Sequence, residues 1–221
     1  MEGKERPLLG LLALACLVVL WTAQSGMALV VSELMYHPVE EGGTPEGEET
    51  LEFIELYNNS AVFEDLSGHA FITGIRYAFA PGTILGAKQY LVVARDPAAV
   101  EAAYGITGVY GPFESGRFDN DGERIELSNS PGEILISFRY RDTWPWPRSA
   151  DGTGHSLFLA KLGGDPEEAS SWAPSMFIGG TPGGPDESQT GPGEVTVVTL
   201  VDVGHPGRYF KGTKEPSPGA G

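Results

Sequence analysis

Apolar and polar positions along this chain alternate in short runs, and the clearest run is LEFIELYN at residues 51–58. Phe53 and Tyr57 fall on one face of a period-two strand and Ile54 and Leu56 on the other, which predicts a central strand covered on both sides. Asn58, Asn59 and Ser60 supply turn chemistry at its end. Glu52 and Glu55 interrupt the pattern. An unpaired buried carboxylate is costly, so each is expected near an edge, at the surface or beside a basic partner.

The rest of the chain follows the same rhythm. Residues 29–36 (LVVSELMY) read as a first strand stopped by His37 and Pro38, and the Glu-rich, Gly-rich stretch 39–49 reads as a solvated loop. Short apolar segments at 61–66 and 70–75 flank Ser67-Gly68, and Pro81-Gly82 marks a further turn. Residues 89–94 (QYLVVA) form the next expected strand. It hands over to one short helix at about 96–105, with Asp96 as N-cap, Pro97 at the first helical position and Gly105 at the left-handed cap. Strand character returns at 107–113 and at 124–127, with a turn at 119–122 between them. Ile134, Ile136, Phe138 and Tyr140 then alternate with Leu135, Ser137 and Arg139, which predicts a hairpin with one face in the core. Short strands at regular spacing indicate an all-β antiparallel sandwich or barrel.

Composition narrows this picture. The 221 residues suffice for one sandwich-sized domain with tails, and 31 Gly and 17 Pro favour turns over long helices. With 30 acidic against 14 basic side chains the net charge is −16. That balance repels phosphate backbones, so no nucleic-acid partner is expected. Residues 1–28 read as a secretory signal peptide: Lys4 and Arg6 precede an apolar run from residue 8 to 21, and Gly26, Met27 and Ala28 end it with small residues. An uncleaved anchor is the alternative. Cys16, the only cysteine, lies inside this run. Cleavage after Ala28 therefore leaves a mature chain with no disulfide and no membrane span, as expected of an exported bacterial protein at the envelope or outside the cell.

The succession VVSELMYHP, EFIELYN, DLSGHAFI, QYLVVARDPAA, NDGERIELSN, PWPRSADGTGHSLFL, SSWAPS and GGTPGGPD resembles the bacterial lamin tail domain over about residues 29–186. The resemblance implies an immunoglobulin-like antiparallel β-sandwich with one short helix, used as a module of large exported proteins beside kinase-like, phosphoesterase, nuclease or repeat domains. His69 departs from the Trp often found at that position. Residues 187–193 read as a linker and 195–203 (VTVVTLVDV) as a β-prone strand. Tyr209-Phe210-Lys211-Gly212-Thr213 is similar to the opening of a second β-rich module, so 187–221 is expected to be linker and the start of a following unit.

Candidate chemistry is sparse. Trp144, Trp146 and Trp172 are expected in a packed core; a sugar-stacking platform needs at least two of them exposed. Asp119-Asn120-Asp121-Gly122-Glu123 superficially resembles a calcium loop, but Arg124 and Ser130 stand where an EF-hand needs Gly and Glu. His37, His69, His155 and His205 lack paired ligand spacing for zinc. Asp151, His155 and Ser156 are a possible triad fragment, although neighbours on a strand point to opposite faces. No nucleophile elbow, phosphate loop or dinucleotide fingerprint occurs. The expectation is no catalytic, cofactor or metal residue and a non-catalytic interaction or structural module with a protein or cell-surface partner. A calcium-supported domain for glycan or acidic surfaces, and an accessory domain of an exported hydrolase or kinase-like protein, are the alternatives.

Overall fold

The computed structural model describes residues 29–39 and 50–186. The expected signal peptide over 1–28 with Cys16, the acidic loop over 40–49, the linker and strand after 186, and His205 lie outside the described residues.

The fold is built around β2 (Phe53–Asn58), every residue of which is buried. It lies between β1 (Leu29–Met35) and β7 (Tyr90–Ala94), antiparallel to both, in a first sheet that continues from β1 to β11 (Leu157–Leu159) and β12 (Trp172–Pro174). A second sheet runs in the order β10 (Ile134–Arg139), β9 (Arg124–Ser128), β4 (Ala70–Thr73), β5 (Ile75–Ala78), β8 (Ser115–Gly116). A two-stranded ribbon of β3 (Glu64–Asp65) and β6 (Ile84–Leu85) is separate from both. Among the described residues all strand pairs are antiparallel. The architecture is an immunoglobulin-like β-sandwich.

Both faces of β2 are covered, by different layers. Ile54 and Leu56 enter the main core with Leu34 and Val93 of their own sheet and Phe71, Ile125, Leu127 and Phe138 of the second. Phe53, on the opposite face, joins Met35, Val92, Ala94 and Val100 in a smaller core under the helix α1 (Pro97–Tyr104). Alternation therefore serves two cores at once, which is why the strand lacks a polar face. The helix has the caps its sequence demands: Asp96 accepts from the Ala99 N–H at 3.1 Å, and Gly105, at φ +66°, donates back to the Glu101 carbonyl at 2.9 Å.

Several expected elements are corrected. Residues 107–113 form no strand; Tyr110 alone bridges Val93, in parallel, while Gly108 and Gly111 adopt positive φ and Pro112 has no N–H to offer a ladder. Gly74, at φ +72°, splits the 70–75 segment and turns β4 into β5. Residues 61–63 are exposed, because the Asn58 amide bonds the Val62 carbonyl at 2.7 Å and curls the chain away from the sheet. The β9–β10 hairpin forms, but a register shift between Ile134 and Ile136 leaves Ile134 at the surface. Trp146 and Trp172 are buried as expected, with Trp172 stacked on Phe138 at 5.0 Å; Trp144 is not core, at 83% exposed. Only one of the three rings is free, so the sugar platform fails.

Leu56→Asp is expected to abolish cooperative unfolding, since an unpaired charge would enter the main core at a cost of several kcal/mol. Circular dichroism melting checks this; a native-like melt contradicts the placement of β2.

Candidate functional site

Glu55 is the residue that departs furthest from expectation. It lies mid-sheet at 1% exposure, neither at an edge nor beside a base. Glu52, also buried, does have a basic neighbour, with the Arg95 guanidinium 3.9 Å away. Opposite Glu55 in the β1–β2 register stands Glu33, 2% exposed. The register shifts between Val31 and Glu33, so Ser32 is the extra residue of a bulge, and its hydroxyl donates to Glu55 Oε1 at 2.6 Å.

Residues 175–186, after β12, cross this spot as a strap. The Thr181 N–H donates to Glu33 Oε1 at 3.0 Å and the Gly183 N–H to Glu55 Oε2 at 2.6 Å. The Ser156 hydroxyl adds a short bond to Glu33 Oε1. Asp186 closes the strap on itself by accepting from the Met176 N–H at 2.9 Å. A Cβ at Gly180, where φ is +77°, would stand 2.0 Å from Glu33 Oε1, so the strap reaches the carboxylate only with glycine there.

Two buried carboxyls on paired positions cannot both carry charge without large cost. Burial pushes Glu33 up to about 7, against the bonds from Ser156 and Thr181 and with help from the Asp186 charge. Burial and then the Glu33 charge push Glu55 well above the usual carboxylate range. The pair is thus a hydrogen-bonded acid site that anchors the strap to the sheet.

The anchored strap presents an apolar tip. Met176, Phe177 and Ile178 are exposed, Ile178 at 71%. Ile178 forms one wall of an apolar groove of about 320 Å³ with Met35, Val39, Leu51 and Tyr104. A polar hollow of similar volume lies elsewhere, between Tyr36, Glu52, Arg117 and the 119–123 turn.

That turn spends its oxygens on itself. Asp119 Oδ1 accepts from the Asp121 N–H at 3.0 Å, Glu123 Oε1 accepts from the Asp119 N–H at 2.9 Å, and the Asp119 carbonyl takes the Tyr140 hydroxyl at 2.7 Å. Among the described residues no group of three or more His, Cys, Asp or Glu side chains is placed to hold a metal. The triad fragment is drawn apart: Asp151 bonds His37 at 2.7 Å, His155 Nδ1 meets the Ser175 carbonyl at 2.8 Å, and Ser156 bonds Glu33. His69 is buried beside the second sheet's turn, its backbone paired with Leu66 and Phe79.

The sequence reading missed the acid pair. A signal was present in SELM and FIEL, each a Glu inside an otherwise apolar strand, but register alone reveals that the two meet. Among the described residues no helix is long and apolar enough to cross a membrane.

The family model described as the lamin tail domain matches residues 22–142. No curated protein matches the chain. β11, β12 and the strap lie beyond the matched stretch.

Gly180→Ala is expected to destabilise the fold by roughly 2 kcal/mol, from the disallowed φ and the clash with Glu33. Urea unfolding measures it; unchanged stability means that the strap is not seated on that carboxylate.

Proposed function

The chain belongs to the lamin tail domain family, and on that premise we propose that it is a non-catalytic β-sandwich module of an exported, multi-domain bacterial protein. Its role in this reading is to engage a protein or cell-surface partner or to hold neighbouring domains in place. The observation that carries the non-catalytic part is the dispersal of Asp151, His155 and Ser156 into three separate structural bonds. A nucleophile needs its base within hydrogen-bond reach, and each of these groups is committed elsewhere.

Export is supported by the apolar run at 8–21 with small residues after it, and by a chain free of cysteine from residue 29 onward. The module takes in residues 29–186 in this reading, since β11 pairs with β1 and the strap closes on Glu33 and Glu55. Residues 187–221 are read in this proposal as a linker and the start of a second β-rich unit, on the resemblance of the YFKGT stretch. The groove and apolar strap tip are the surface best suited to a protein contact. No cofactor is required, and a net charge of −16 disfavours nucleic acid.

Full-length protein incubated with phosphomonoester, phosphodiester and carboxylic ester substrates is expected to give no turnover above buffer. Turnover that disappears in His155→Ala or Asp151→Ala would overturn the proposal.

A further inference from the structure

The acid pair under the strap has a consequence that does not depend on what the module binds. The groups around it come from every element that packs there. β1 contributes Glu33 and the Ser32 hydroxyl, β2 contributes Glu55, and the residue before β11 contributes the Ser156 hydroxyl. The Tyr90 ring of β7 stands within electrostatic reach of Glu55, the Tyr104 ring of α1 within reach of Glu33, and Asp186 of the strap adds its own charge. Among the described residues no Lys, Arg or His pairs with Glu33 or Glu55. The only compensation for ionising them is hydrogen bonding, and two of those donors, the Thr181 and Gly183 N–H groups, belong to the strap itself.

We propose that residues 175–186 form a proton-latched strap, seated on the first sheet while Glu33 and Glu55 share their buried site as acids and released as the pair ionises, so that the apolar tip is presented in a pH-dependent way. Lifting the strap opens the site to water, where both carboxyls regain an ordinary pKa near 4.5. The seated strap retains protons that the lifted strap gives up. Above about 4.5 each proton released on lifting makes lifting about ten-fold more favourable per pH unit. For Glu33 this gain ends near 7, where the seated form ionises too; Glu55, raised by burial and then by the Glu33 charge, acts in the same direction. The latch therefore tightens in acid and loosens toward neutral and alkaline pH.

Hydrogen exchange of the full chain, corrected for the intrinsic pH dependence of amide exchange, reads the latch directly. Protection of the Thr181 and Gly183 amides is expected to fall about ten-fold or more per unit between about pH 5 and 7 while protection of β2 amides changes less. Glu55→Gln, and independently Glu33→Gln, keeps an acceptor but cannot ionise, and each should flatten the dependence. If one variant fails to fold, the other and the wild-type series still decide. Wild-type protection that is constant over this range overturns the proposal. So does an equal fall in β2, which would be global unfolding, or an undiminished slope in a folded Gln variant.

Discussion

The constraint on which the rest of this structure depends is that β2 has no solvent face. A one-residue slip would exchange the two faces of such a strand, so enclosure on both sides requires two layers that fit at the same register. Ile54 and Leu56 fix the second sheet, through Phe71, Leu127 and Phe138, while Phe53 fixes α1 through Val100. Tyr57 stacks on Tyr90 at 4.5 Å and ties the strand's end to β7. Only Glu55 is polar on that inner strand besides the terminal Asn58, and it is there that the strap is held.

The dual enclosure was legible because FIELYN alternates without a polar face, and the helix because Asp96, Pro97 and Gly105 each carry a local instruction that tertiary contacts need not supply. The hairpin at 124–139 was legible for the same reason. Long-range information was not. Nothing local tells that β11 lands on β1, with Glu33 opposite Phe158 on one side and Glu55 on the other. Glu55 was misjudged for that reason, since a Glu taken singly ought to avoid burial, and only the fold sets it beside Glu33 under the donors of the strap. Trp144 was misplaced because hydrophobicity does not distinguish a ring beside the core from one on it; one residue beyond Pro145, Trp146 is buried.

Function follows the same division. Side chains that sequence proximity gathers into a catalytic fragment are separated by the fold, while Glu33, Glu55, Ser156 and Thr181, distant in sequence, are brought together for a structural purpose. The acid-anchored strap and its exposed apolar tip are the features of this sandwich on which the proposed contact role rests.

Part of what encloses the first sheet and the main core follows the matched stretch. β11 covers the edge of β1, Trp146 and Trp172 fill the main core, and the strap covers the acid pair. The most direct measurement compares denaturant unfolding of the full chain with that of a chain ending at Asp142. The account predicts a cooperative transition for the full chain and none for the shortened one. A cooperative transition of similar midpoint in the shortened chain would contradict it.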